Sequence, residues 1–149
     1  MRRAREFFPF RRIDWYTQRW KKGADKSMPR TVMIVDDLEF VRKTLADILT
    51  KADYQVVGEA CDGQEAIAMY SRLKPDLVTM DVVMPTMSGI ESTKRILKEY
   101  KDARIVIISA MGQENLVMEA INVGAKDYVL KPFSAQDVLK TVERAFREN

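Results

Sequence analysis

The fold is decided by the stretch Pro75-Asp76-Leu77-Val78-Thr79-Met80-Asp81-Val82-Val83-Met84-Pro85. Its short apolar run, bounded by prolines, is typical of a strand buried on both faces. A buried strand carries a charge only at a large desolvation cost. The aspartate at the carboxyl end of this strand, Asp81, is therefore better explained by a function than by packing.

Four more apolar runs alternate with helical patterns on both sides of this stretch. The predicted strands are 31–35, 54–59, 77–80, 104–109 and 128–130, and the predicted helices are 38–49, 64–73, 89–100, 113–123 and 135–147. Ser88 and Ser134 are suited to begin two of these helices as N-caps, and Gly124 to end one. Five strands, each followed by a helix, predict an α/β fold with a parallel sheet between two layers of helices.

The charge of the chain is divided between two regions. Residues 1–30 contain ten Lys or Arg and three acids, whereas residues 31–149 contain fifteen and nineteen, and six of the thirteen aromatic residues also lie in 1–30. Such a basic, aromatic leader could contact an anionic membrane surface or nucleic acid. We favour a disordered leader, or one that is not part of the natural protein, with Met28 as the natural start. The predicted domain is then 31–149.

Composition excludes several classes of site. The chain has no histidine, which rules out Ser-His-Asp and Cys-His catalysis and histidine metal sites. Its single cysteine, Cys61, cannot form an internal disulfide and has no metal-ligand spacing around it. Neither a membrane-spanning run nor a secretory signal is apparent, so we predict a cytoplasmic protein without stable membrane insertion.

Polar side chains follow four of the five predicted strands, which are otherwise apolar. They are Asp36 and Asp37, Asp81, Ser109, and Lys131. Ligands of such sheets bind outside the carboxyl ends of the strands, so these groups should share one cleft. Three neighbouring carboxylates require a balancing cation, and an all-oxygen set with waters is what Mg²⁺ prefers.

This set of residues predicts phosphoryl transfer to an aspartate. Asp81 would be the nucleophile, and Asp37 and Asp81 would hold Mg²⁺ with Asp36 beside it or acting through water. Lys131 and the Ser109 hydroxyl would each bind a phosphoryl oxygen. Taken singly, the acids could cap a helix, the hydroxyl could be an ordinary strand end and the lysine a solvated charge. Their joint occurrence at the strand ends favours the functional interpretation.

The motifs resemble the receiver domain of two-component response regulators over about residues 31–148. The matching motifs are Val35-Asp36-Asp37, Met80-Asp81-x-x-Met84-Pro85, Ser109-Ala110 and Gly124-Ala125-x-Asp127-Tyr128-x-x-Lys131-Pro132-Phe133. Their order and spacing are specific, although none of them is specific alone. The segment Ser109-Ala110-Met111-Gly112-Gln113 is similar to the single-domain, CheY-like chemotaxis group. The predicted fold is flavodoxin-like (βα)5 with strand order 2-1-3-4-5.

The resemblance implies a phosphorylation-controlled switch. A histidine kinase would phosphorylate Asp81, with Mg²⁺ held by Asp37, Asp81 and the backbone carbonyl of Val83, and the bond before Pro132 would be cis. Ser109 would then move toward the phosphoryl group while Tyr128 turns inward. These movements would change the face formed by the fourth helix, the fifth strand and the fifth helix.

Two features depart from the commoner pattern. Ser109 replaces a threonine, which keeps the hydroxyl and loses a methyl group. Val83 and Met111 flank the site with apolar side chains where some relatives carry polar ones. We predict that these apolar side chains cannot orient a hydrolytic water, so the acyl phosphate should be long-lived.

Several functions are compatible with this chemistry. The leading hypothesis is a monomeric switch that a chemotaxis kinase activates and that binds a flagellar motor switch protein. The alternative is a phosphorelay intermediate that passes its phosphoryl group to a histidine phosphotransfer protein. A Mg²⁺-dependent phosphohydrolase would need a substrate-covering cap or second domain, so we do not expect a multiple-turnover enzyme. Nucleic-acid binding through the leader is not expected either.

Overall fold

The computed structural model describes residues 28–147. The prediction that 1–30 form a leader therefore lies outside the described residues for 1–27, and it stays a prediction. Met28 is 5% exposed and belongs to the core, directly before the first strand. Within residues 28–147 no helix combines the length and the apolar character needed to cross a membrane.

Five strands alternate with five helices along the described chain. They are β1 Thr31–Val35, α1 Glu39–Lys51, β2 Gln55–Ala60, α2 Gly63–Leu73, β3 Leu77–Asp81, α3 Gly89–Glu99, β4 Ile105–Ala110, α4 Glu114–Asn122, β5 Asp127–Lys131 and α5 Ala135–Arg147. All neighbouring strands are parallel, in the order β2-β1-β3-β4-β5. The predicted fold class and strand order are confirmed. Both ends of every predicted strand lie within one residue of the observed ends.

The three central strands of the sheet, β1, β3 and β4, bury both of their faces. Met33, Val78 and Ile107 face α2, α3 and α4, while Ile34, Val106 and other residues on the opposite side face α1 and α5. Successive side chains of a strand point to opposite faces, so a strand covered on both sides must be apolar at every position. This double burial explains why the central strands show nearly continuous apolar runs, whereas the edge strands β2 and β5 carry exposed positions.

Local capping fixes where the helices begin and end. The Ser88 hydroxyl accepts a hydrogen bond from the Glu91 N–H at 3.1 Å. The Ser134 hydroxyl accepts one from the Asp137 N–H at 3.0 Å, and the Asp137 carboxylate accepts one from the Ser134 N–H at 3.1 Å. This reciprocal pair is a capping box. Gly124 follows α4 with a φ of 119°, which a side chain would disfavour. The predicted N-caps and the terminating glycine are confirmed.

A close backbone approach joins β3 to α3 at the carboxyl edge of the sheet. The Gly89 N–H donates to the Val82 carbonyl at 2.8 Å. A Cβ at Gly89 would overlap the carbonyl oxygen of Asp81 and would lie 3.0 Å from the Met80 Cγ. Only glycine lets the helix begin this near the strand end. Because β1 lies between β2 and β3, the chain reverses its direction of winding here, and a crevice opens at the carboxyl ends.

Candidate functional site

Three carboxylates meet in this crevice. Asp36, Asp37 and Asp81 each offer an oxygen, and these oxygens lie within 4.8 Å of one another. Asp36 is fully buried and Asp81 is 6% exposed, whereas Asp37 faces solvent. A set of hard oxygen ligands with one open, solvated side suits Mg²⁺, which keeps several of its waters. The residues present therefore fit the predicted metal.

Asp36 is held by the start of α1 and by a cation. One carboxylate oxygen accepts a hydrogen bond from the Leu38 N–H at 2.9 Å, and the other lies 3.0 Å from the Lys131 ammonium. The Arg42 guanidinium donates to the Asp36 carbonyl at 2.6 Å. Leu38 is the N-cap residue of α1, and its side chain makes no cap hydrogen bond among the described residues. Helix capping thus does not account for Asp37, which remains available as a metal ligand.

Asp81 is buried beside the Asp36 carboxylate and has few partners of its own. Its Oδ1 accepts a hydrogen bond from the Val82 N–H at 3.0 Å and lies 3.5 Å from the Lys131 Nζ. Burial and the charge of Asp36 raise the pKa of Asp81 to about 7, against the opposing effect of Lys131. A carboxyl group whose pKa is raised to near 7 by burial and a like charge marks a candidate functional site. A bound cation would favour its ionised form.

Lys131 links the two buried acids. Burial lowers the pKa of its ammonium, but the bond to Asp36 and the charges of Asp81 and Asp36 outweigh that effect, so the pKa is raised. The group is therefore a permanent cation at neutral pH. The predicted cis bond before Pro132 is present and immediately follows this residue.

Ser109 is buried and Tyr128 is partly exposed; these are the two residues for which a movement on phosphorylation is predicted. Ser109 is fully buried, and its hydroxyl has no hydrogen-bond partner among residues 28–147. The Tyr128 side chain is 45% exposed, outside the core. Buried hydroxyls nearly always find a partner, so an unpartnered one suggests a bond that forms in another state. The inward turn of Tyr128 remains a prediction.

The structure brings together most of the predicted site. Asp36, Asp81 and Lys131 converge through direct contacts, and Asp37 brings an oxygen within 4.8 Å of the two other acids. Ser109 lies one residue before the end of the neighbouring strand β4, at the same edge. Val83 follows Asp81 by two positions and is 54% exposed, and Met111 follows Ser109 by two positions and is 76% exposed; this exposed apolar pair is called the apolar rim. The role of the Val83 carbonyl as a ligand remains a prediction.

Sequence reasoning missed one residue at this edge, Gln113. Its side-chain oxygen accepts a hydrogen bond from the Ala110 N–H at 2.7 Å. In the sequence, Gln113 is a polar residue at the start of an apolar helix. That position indicates a helix N-cap and gives no sign of a bond to the preceding strand.

Comparison with known proteins gives a consistent family match. The response regulator receiver domain profile matches residues 32–143. The chain is 50% identical over 117 residues to the chemotaxis protein CheY of Thermotoga maritima, covering 78% of this chain and 98% of that protein. It is 45% identical over 117 residues to CheY of Bacillus subtilis, with the same coverage of both chains.

The fold has close neighbours among solved structures. The crystal structure of a CheX-CheY-BeF3-Mg complex from Borrelia burgdorferi contains a chain that matches with a TM-score of 0.78 and 36% identity. The match covers 84% of this chain and 96% of that one. The family profile thus covers most of the described residues, and the curated relative and the solved structure are each matched over more than nine tenths of their own length.

Proposed function

We propose, from the premise that this chain belongs to the response regulator receiver domain family, that it is a phosphorylation-controlled switch with Asp81 as phosphoacceptor. It is a CheY-like receiver domain, consistent with chemotaxis. The observation that carries the proposal is the meeting of three carboxylates within 4.8 Å beside Lys131. The protein would act in the cytoplasm as a signalling component, not as a multiple-turnover enzyme.

The proposed reaction is in-line transfer from a histidine kinase. An oxygen of Asp81 attacks the phosphorus of a phosphohistidine, the P–N bond breaks, and the imidazole nitrogen keeps the electron pair and is protonated. Mg²⁺, held by Asp37, Asp81 and the Val83 carbonyl with Asp36 beside it, would neutralise charge on the transferred group. Lys131 lies 3.5 Å from Asp81 and would pair with a phosphoryl oxygen.

Two observations support the proposed switch. The Ser109 hydroxyl is buried without a partner in the described chain, and it would bind a phosphoryl oxygen. Tyr128 of β5 pairs with Ile107 of β4, which lies two residues before Ser109. Tyr128 would fill the space that Ser109 leaves when it moves. The surface of α4, β5 and α5 would then change and bind the output partner.

The output partner follows from the group of relatives. We infer a flagellar motor switch protein, because the curated relatives at 45–50% identity are chemotaxis proteins. The Borrelia relative is recorded in a complex with CheX, which makes a CheX-type protein a further candidate. The alternative is a phosphorelay, in which a histidine phosphotransfer protein is the partner. Affinity capture with the beryllofluoride-bound protein distinguishes these partners.

The direct test is acetyl phosphate with Mg²⁺, followed by intact-mass analysis. The wild type should gain one phosphoryl group, and Asp81→Asn should gain none. Asp76→Asn, which changes an acid at the other end of β3, is the matched control and should be phosphorylated like the wild type. The absence of an adduct on the wild type, or an equal adduct on Asp81→Asn, would overturn the proposal.

The apolar rim bears on the lifetime of the acyl phosphate. Val83 and Met111 are exposed around the site and offer no hydrogen-bonding group that could orient an attacking water. We expect slow first-order loss of phosphate, and faster loss from Val83→Asn. Rapid loss from the isolated wild-type protein would contradict this expectation.

A further inference from the structure

Two side chains bond the loop between β4 and α4: Gln113 joins the two ends of the loop, and Glu114 accepts a hydrogen bond from the Gly112 N–H at 3.4 Å. The Gln113 Oε1 accepts a hydrogen bond from the Ala110 N–H at 2.7 Å, and the Gln113 N–H donates to the Ala110 carbonyl at 3.3 Å. Gln113 is the N-cap residue of α4, yet its side chain bonds the preceding strand and makes no cap bond within residues 28–147. Its side chain therefore ties the start of α4 to the end of β4.

The direction of the Ala110 N–H follows from the sheet register. The Val78 N–H of β3 donates to the Arg104 carbonyl, whereas the Lys126 N–H beside β5 donates to the Ile105 carbonyl. The backbone N–H and C=O groups of successive residues point to opposite neighbouring strands. The N–H and C=O groups of the even-numbered residues of β4 therefore point toward β3. The Ala110 N–H is thus directed to the β3 side.

No residue of β3 lies opposite Ala110. β3 ends at Asp81, whose partner on β4 is Ile108, two residues before Ala110. The Ala110 N–H consequently faces the space just beyond the end of β3, the strand end that carries Asp81. It is a backbone donor directed at the site, and Gln113 occupies it in this structure.

We propose, on the basis of the phosphoacceptor role of Asp81, that this bond is a latch: Gln113 holds the Ala110 N–H until a phosphoryl oxygen on Asp81 replaces it. A phosphoryl oxygen carries more charge than a neutral amide oxygen, and hydrogen bonds to ionised acceptors are about twice as strong. The phosphoryl group can therefore displace Gln113.

Displacement has a direct route to α4. Once released, the Gln113 side chain no longer fixes the helix start to the strand. Gly112 has a φ of 89° and open space around its Cα, and the Met111 side chain is exposed, so the loop has room to move. Gln113 would act as a positioning residue for the switch, since it touches neither the phosphorus nor the metal.

The test uses beryllofluoride with Mg²⁺, a stable phosphoryl mimic, on the full chain. Gln113→Met keeps the length of the side chain but lacks the amide acceptor. It should bind beryllofluoride about two- to tenfold more tightly, which is the worth of one net hydrogen bond. It should also unfold at a lower urea concentration, because the ligand-free state loses that bond. Gln113→Ala should show both changes if the methionine variant folds poorly.

Two further variants sharpen the test. Gln113→Glu supplies a charged acceptor, which should hold the Ala110 N–H more firmly and weaken beryllofluoride binding. Glu119→Gln changes an exposed residue in the second half of α4 and leaves the latch intact, so its affinity should match the wild type. A merely structural role for Gln113 would lower stability without tightening binding.

The outcomes separate the latch from the proposed function. Wild-type binding with unchanged or weaker affinity in both Gln113→Met and Gln113→Ala overturns the latch alone. Failure of the wild type to bind beryllofluoride, together with no phosphoryl adduct, overturns the phosphoacceptor role of Asp81 and the latch with it.

Discussion

The two ends of β3 each carry an aspartate, and the surroundings of these residues differ sharply. Asp76, before the strand, accepts hydrogen bonds from the Thr31 N–H at 2.8 Å and the Thr31 hydroxyl at 3.1 Å. Its own N–H donates to the Thr31 hydroxyl and carbonyl at 2.9 and 3.0 Å. Asp81, after the strand, is buried beside another acid, and its pKa is raised to about 7.

The difference shows how one strand can end in a structural acid and a reactive acid. At the amino edge, hydrogen bonds to Thr31 satisfy the carboxylate and join β3 to β1. At the carboxyl edge, the fold leaves Asp81 in excess negative charge, which only a cation or a proton can relieve. Asp76 should therefore stabilise the fold, and Asp81 should cost stability in exchange for a binding site.

The largest expected effect concerns Mg²⁺. Removal of one ligand charge, in Asp37→Asn or Asp81→Asn, should weaken Mg²⁺ binding by at least about 10- to 100-fold, the loss that changes around metal ligands cause. Asp76→Asn should bind Mg²⁺ like the wild type. Isothermal titration calorimetry measures all three variants. Equal weakening in Asp76→Asn would show that the two ends are not independent.

The next largest effect is that substitutions of Asp76 and Asp81 should change the free energy of unfolding in opposite directions. Asp76→Ala leaves the Thr31 N–H and hydroxyl without their acceptor and should lower the free energy of unfolding by about 2–4 kcal/mol. Asp81→Asn removes a destabilised charge and should raise the free energy of unfolding of the metal-free protein at pH 8 by about 2–4 kcal/mol. Urea denaturation in EDTA measures both, and the same sign for both would contradict the comparison.

The pH dependence of the free energy of unfolding is a second test of the destabilising charge on Asp81. The folded protein binds the Asp81 proton more tightly than the unfolded chain, in which the pKa is near 3.8. The contribution of this group is therefore fully present below about pH 4, and it is lost as pH rises through about 7. The difference between wild type and Asp81→Asn in EDTA should grow from pH 5 to pH 8. A constant difference would refute the raised pKa.

The smallest effect is expected at Ser109. Since its buried hydroxyl has no partner in the described structure, Ser109→Ala should be neutral or raise the free energy of unfolding by up to about 1 kcal/mol. The same change should weaken beryllofluoride binding. Thr31→Val, which removes a bonded hydroxyl at the opposite edge, is the control and should lower stability. A marked loss of stability in Ser109→Ala would mean that the hydroxyl is already satisfied.

Local patterns were enough to predict most of the fold. Nearly continuous apolar runs identified the central strands, and serine caps identified the starts of α3 and α5. β2 was harder, because it begins at Gln55 and its pairing with β1 shifts between Val32 and Met33. Gly58 lies just past this shift, and a Cβ there would come 2.7 Å from a Leu73 methyl group. That irregularity depends on packing against α2, which no strand pattern contains.

The site was predictable where it depends on strand ends and hidden where it depends on side-chain conformation. Asp36, Asp81 and Lys131 each follow an apolar strand, so topology alone brings them together. The bond of Asp76 to Thr31 spans 45 positions, and that of Gln113 is to the strand it follows. Both require knowledge of rotamers, since the same residue types would be equally suited to turns or caps.

Gly89 makes folding and reactivity separable in a genetic experiment. Its missing side chain keeps α3 clear of the Asp81 carbonyl, which is a requirement of the backbone and not of the carboxylate. In a saturation library selected only for folded protein, position 89 should stay glycine while position 81 accepts many residues. Selection for signalling should then restrict position 81 as well, so the two sequence logos would distinguish an architectural constraint from a chemical one.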